Sequence, residues 1–204
     1  MKKKLKGEAG FTLVEMLVVA AIMVLLGLMV GVGMKAAMRT YRSIVAQSEV
    51  ELLLSTAVDA LADDLRYARD VQSRTGTDLN CDFTYTSDSF FGEGVYLDLD
   101  SGRIVACKPS NNNKQFLSTG AYGSKTSFEE YQVTEMKITL NGPPATADPG
   151  SYEITFTIVL TVTADSSDGT SVSASTPKDK DGNDIGVTVR CLNPMIVTVG
   201  GAGS

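Results

Sequence analysis

Residues 11–34 run for 24 positions with a single charged side chain, Glu15. At about 1.5 Å per residue a helix of that length reaches about 36 Å, enough to cross a hydrocarbon core of about 30 Å. Four lysines, Lys2, Lys3, Lys4 and Lys6, precede the run. The positive-inside rule keeps them in the cytoplasm and sends the rest of the chain across. A secretory signal peptide has a shorter apolar region and a small-x-small cleavage site at its end. Here the run passes straight into a charged helical pattern at Lys35, Arg39 and Arg42. A plain signal anchor fits the length and leaves Glu15 unexplained. A carboxylate inside an apolar span costs about 2.5–3.5 kcal/mol at mid-helix and less near an end, so it needs a partner. No Lys or Arg within residues 11–34 can serve.

The hexapeptide Gly10-Phe11-Thr12-Leu13-Val14-Glu15, after a Lys-rich leader and before about twenty apolar residues, resembles the class III signal of the type IV pilin and pseudopilin superfamily. The resemblance covers about the first 35 residues directly. It implies cleavage by a membrane prepilin peptidase between Gly10 and Phe11, followed by methylation of the Phe11 amine. Gly10 disfavours helix, which lets the leader lie extended in a protease cleft. The cut removes the lysines, leaves the apolar helix as an anchor and exposes a positive amine. The resemblance pairs that amine with Glu15 of a neighbouring subunit. Leaving a charge unpaired in a low dielectric is penalised, and the pair therefore sets register. Gly27 and Gly31 have GxxxG spacing, which permits close helix packing in lipid, although glycine is also simply common in membrane helices. The family often unwinds this half locally at a proline. Here no proline precedes Pro109, and Gly27, Gly31 and Gly33 are the weaker candidates.

Beyond the span the periodicity changes. Gln47, Val50, Leu54, Val58, Leu61, Leu65 and Ala68 recur at steps of three and four, with Glu51, Ser55, Asp59, Asp63, Arg66 and Asp70 opposite. This predicts an amphipathic continuation to about Arg74, an Arg66–Asp70 pair on its surface, and a break at the Thr75-Gly76-Thr77-Asp78 cluster. One helix of about 60 residues then starts in the membrane and ends on a globular domain.

From Leu79 onward strands are predicted. Val95, Leu97 and Leu99 alternate with polar residues, Asp100-Ser101-Gly102-Arg103 turns, and residues 104–108 return as a hairpin. Residues 110–114 read as a loop. Met136, Ile138 and Leu140 repeat the alternation before a Pro-rich loop over 141–150. Tyr152, Ile154, Phe156, Ile158, Leu160 and Val162 form the clearest strand, with a Thr-rich second face toward solvent. Asp168-Gly169 is the next turn, Val187, Val189 and Cys191 mark another strand, and 195–199 a last one. The fold class expected is α+β: a long N-terminal helix packed on an antiparallel β-sheet domain. The parts are leader 1–10, membrane and assembly half 11–34, amphipathic half 35–75, and exported domain 76–204.

The chemistry left to this chain is narrow. It has no histidine, which removes Ser-His-Asp and Cys-His catalysis and all His-metal sites. Its net charge of −6 argues against nucleic acid as main partner. No SxxK stands in a predicted helix of the exported part. Cys81, Cys107 and Cys191 all lie where oxidation is permitted. Three pairings are open, as is the state of three reduced thiols; the shorter loop favours Cys81–Cys107. The resemblance implies instead a C-terminal disulfide that would use Cys191. Asp179, Asp181, Asn183 and Asp184 offer oxygens in one short loop, a weak calcium candidate. The spacing lacks the EF-hand glycine and glutamate, and the family's occasional calcium loops add a little; a solvated turn is the plainer reading.

The resemblance therefore implies a structural subunit, a substrate of an enzyme rather than an enzyme, with no cofactor. Its partners would be the prepilin peptidase, other pilin or pseudopilin subunits, the inner-membrane assembly platform and membrane lipid. It would sit as a single-pass inner-membrane protein and later in an extracytoplasmic filament, a type IV pilus or a pseudopilus of type II secretion or DNA uptake. The size and irregularity of the exported domain suggest a minor subunit; Glu15 argues against the tip subunit that lacks this residue. The alternative is a single-pass anchored binding or adhesion protein that never polymerises.

Overall fold

A computed structural model describes residues 12–74, 76, 79–88, 92–108, 113–118, 122, 131–142, 154–165 and 170–192. The chain divides into two compact units, Met1–Ser43 and Ile44–Ser204. One helix, α1 (Leu13–Arg66), supplies both with helical backbone and is unbroken through Gly27, Gly31 and Gly33. In the first unit its apolar side chains are exposed, among them Leu17, Met23, Leu28 and Val32.

In the second unit the helix gains a buried face at Ala46, Val50, Leu53, Ala57, Leu61, Asp64 and Leu65. The expected stripe is present but turned by about one residue: Leu53 and Ala57 are buried, while Leu54 and Val58 are half-buried beside the core. The helix also stops eight residues earlier than its periodicity suggests. Tyr67 N–H and Ala68 N–H donate back to Asp64 O and Leu65 O, tightening the last turn. Leu192 N–H, at 2.8 Å, satisfies the freed Arg66 carbonyl. Asp70 then takes a left-handed φ of 48°, and Arg69–Ser73 becomes strand β1. The sheet's claim on these backbone groups outweighs their helical pattern. Arg66 consequently pairs with Asp63 at 3.1 Å rather than with Asp70.

The strands form two antiparallel sheets joined by one hydrophobic core, an α+β architecture. The first sheet has the order β1, β2 (Phe83–Ser87), β3 (Gly92–Asp100), β4 (Arg103–Cys107), β5 (Lys114–Gln115). The β3–β4 hairpin is the expected one, with Leu97 opposite Ala106 and Ser101 and Gly102 both at positive φ in its turn. Lys114 lies in β5 rather than in a loop. In the second sheet β6 (Gln132–Asn141) lines one edge of β7 (Thr155–Asp165). The other edge of β7 is shared: β8 (Ser171–Ser175) pairs with residues 161–165 and β9 (Val187–Arg190) with residues 155–158. Thr176 fills the gap between them, exchanging hydrogen bonds with Leu160. Phe156, Ile158, Leu160, Val162 and Ala164 are buried, and Thr155, Thr157, Thr161 and Thr163 half-buried, as the alternation requires.

The sheets are tied where Cys81 makes a parallel bridge to Ile138, and Asp82 Oδ1 accepts the Leu140 N–H at 2.9 Å. Phe83 of β2 meets Phe156 of β7 with ring centroids 4.9 Å apart. The leader, the residues Thr75, Thr77 and Asp78 of the expected break, most of the Pro-rich loop, Tyr152, the Asp168-Gly169 turn and the expected strand at 195–199 lie outside the described residues.

Candidate functional site

The residues that begin α1 form a closed local network. Thr12 is the last non-helical residue and Glu15 stands three positions on, the spacing of a capping box. Thr12 Oγ1 accepts the Glu15 N–H at 3.3 Å. Glu15 Oε2 accepts both the Thr12 N–H at 2.8 Å and the Thr12 hydroxyl at 2.9 Å. Two helix-start N–H groups without helical partners are thereby satisfied, and the carboxylate lies where the helix dipole favours negative charge. All three contacts use one carboxylate oxygen or the hydroxyl. Glu15 Oε1 accepts no hydrogen bond among the described residues and faces open surroundings, flanked by the exposed Leu13 and Val14. The arrangement can hold a carboxylate rigid and present its free oxygen to a cation. Gly10 and Phe11, the expected cleavage and methylation pair, lie outside the described residues. The capping role of Thr12 is legible in the Thr-x-x-Glu spacing of residues 12–15.

The other sequence candidates are scattered. Cys81, Cys107 and Cys191 are three buried thiols. Cys81 donates to Phe83 O, and Cys191 to Ala68 O, each at 3.3 Å. Burial pushes the Cys81 thiol up to about 11. Asp179 Oδ1 accepts the Asp181 and Asn183 N–H groups, both at 2.8 Å, and Oδ2 accepts the Asn183 side-chain amide at 2.9 Å. The Asn183 side chain and these amides hold the Asp179 carboxyl below its ordinary value. Asp184 is bound to Lys178 at 3.0 Å. The loop's own donors engage both Asp179 oxygens, and no group of three His, Cys, Asp or Glu placed to hold a metal occurs among the described residues.

A buried polar cluster was not foreseen. Asp64, in the last turn of α1 and 7% exposed, accepts the hydroxyls of Tyr85 and Ser87, both at 2.6 Å. Burial first, then the Asp64 charge, raise the Tyr85 pKa well above its usual value. This cluster clamps the helix end to β2. Lower down, the Tyr131 hydroxyl donates to Glu49, and Gln47 donates to Glu51 and to the Ser173 carbonyl of β8.

Residues 5–31 match the family described as the prokaryotic N-terminal methylation motif, the prepilin-type signal of type IV pilins and pseudopilins. No curated protein and no solved structure matches the chain.

Proposed function

We propose that this chain, which carries a prepilin-type signal, is a structural subunit of a type IV pilus or a related pseudopilus, a minor one by the size of its exported domain. It is the substrate of a prepilin peptidase and has no catalysis or cofactor of its own. One observation carries the reading most directly. The signal holds a glutamate in the first turn of an apolar helix whose side chains are exposed from Leu13 to Met34. Such a surface requires lipid, or other helices of its kind, to cover it. The helix meets the requirement first in the inner membrane and then among the helices of neighbouring subunits. Phe11 supplies the cation for the free Glu15 oxygen after cleavage, and the exported sheets form the outer surface.

The test is the mature N-terminus, read by mass spectrometry after co-expression with a prepilin peptidase. The expected product begins at Phe11, with one added methyl, and Gly10→Val abolishes it. An intact leader beside an active peptidase, or cleavage beyond Met34, would remove the reading. Cleavage at Phe11 without entry into any filament would leave an anchored binding protein.

A further inference from the structure

Once the leader is gone, the mature helix segment 11–43 keeps three basic side chains, Lys35, Arg39 and Arg42, all on the exported side of the span. Their i, i+4, i+7 spacing places them within about 60° on one helix face. All three are exposed. None has an ion-pair partner among the described residues, and no carboxylate occurs between Glu15 and Glu49. Tyr41, 70% exposed at the same level, is the kind of residue enriched at membrane–water boundaries.

We propose that Lys35, Arg39 and Arg42 form a docking face for anionic phospholipid headgroups in the outer leaflet of the inner membrane. The inference rests on the membrane reading above. Lys35 stands one residue beyond the apolar run, and Arg42 about 12 Å beyond it. A headgroup layer is about 5–7 Å thick. Helix side chains lean toward the N-terminus, here toward the bilayer, and long basic stems extend along apolar surface to place their charge at the phosphates. A second copy of the chain is the poorer occupant. If Glu15 meets a parallel neighbour's Phe11, the helices are offset by four residues. The neighbour then presents residues 31–46 to this face, a stretch holding only the same three cations and no carboxylate. Anionic lipid neutralises that repulsion while subunits are gathered in the membrane. Leader cleavage thus removes the cytoplasmic lysines and leaves Lys35, Arg39 and Arg42 as the basic side chains of helix segment 11–43.

The chain has no tryptophan, so Met38→Trp adds a single fluorophore beside the face. The full chain carrying it is placed, one copy per disc, in lipid nanodiscs of phosphatidylcholine with or without phosphatidylglycerol. Acrylamide quenching of Trp fluorescence should fall by about half when the anionic lipid is present, and high salt should erase the difference. Joint Lys35→Gln, Arg39→Gln and Arg42→Gln changes should make the two discs indistinguishable. The charge-conserving set Lys35→Arg, Arg39→Lys and Arg42→Lys should retain the difference. Quenching of the cationic chain that is indifferent to lipid charge, or sensitive to it only in discs holding two copies, overturns lipid docking alone. Failure to enter either disc overturns the membrane reading and this inference together.

Discussion

Asp63 and Asp64 are neighbours in sequence and opposites in the fold. Asp63 is exposed and pairs with Arg66, whereas Asp64 is buried beneath β2 with two hydroxyl donors. Nothing in the one-dimensional pattern separates them, because the helical period is uncertain by about one position and the donors come from a strand about twenty residues away. Truncation to Asp64→Ala leaves two buried hydroxyls without their acceptor. It should cost about 3 kcal/mol in urea melts of the detergent-solubilised chain. The joint change Asp64→Leu, Tyr85→Phe, Ser87→Ala should be less damaging than Asp64→Ala alone, because no polar partner is left unmatched. An additive outcome would show that the three residues do not act as a unit. Cys81 makes a second residue-scale prediction. Its thiol titrates near 11 in the fold against 9.0 when unperturbed, so the folded state holds its proton more tightly. The stabilisation is complete below pH 9 and is lost as pH rises toward 11, by about 2–3 kcal/mol. The Tyr85 hydroxyl, also raised, steepens the loss above pH 10. The urea midpoint should therefore fall across this window, and Cys81→Ala should flatten the part between pH 9 and 10.

Elements were legible where their signals are local. The β3–β4 hairpin announces itself by alternation and by Asp-Ser-Gly-Arg, and β7 by its apolar face and threonines. Strand β1 was hidden because Arg69–Ser73 continues a helical period, and only pairing with β2 reveals it. The division into two sheets was hidden as well, since it depends on which edge of β7 each later strand takes. Two glycines measure how tightly these elements fit. Gly102 has φ +76°, and a Cβ there would stand 2.8 Å from the Gln132 Cβ. Gly186 has φ +69°, and its Cβ would stand 2.6 Å from the Ile158 carbonyl oxygen in the central strand. The first contact falls on the Gln132 Cβ at the start of β6, where only the strand's end has to shift, but the second opposes backbone that is held by β6 and β9. Gly102→Ala should cost about 1–2 kcal/mol and Gly186→Ala more, read as ordered losses in thermal melts. Equal losses would mean that the backbone of β7 yields as readily as the end of β6.

At the scale of the whole molecule, one substitution pattern can separate the cap that Glu15 forms from the cation pairing proposed for it. Its Oε2 closes the capping box with Thr12, and its Oε1 accepts no hydrogen bond among the described residues. The sequence suggests the second role through the missing partner, and its Thr-x-x-Glu spacing carries the first, which the hydrogen bonds bear out. Glu15→Gln keeps an oxygen that can accept from the Thr12 N–H and so preserves most of the cap, but it removes the charge. Thr12→Val removes the hydroxyl and keeps the charge, at about 1 kcal/mol of helix-start stability. If register depends on a carboxylate–amine pair, Glu15→Gln should lower incorporation into sheared filaments of a host with an assembly machine as severely as Glu15→Ala, by tenfold or more. Thr12→Val should lower it only modestly, and in all three variants processing to Phe11 should persist. If instead the cap alone matters, Glu15→Gln should assemble normally and Thr12→Val should resemble Glu15→Ala. The second outcome would assign the intramembrane carboxylate to the start of its own helix, and the register between subunits would then have to come from the apolar surface itself.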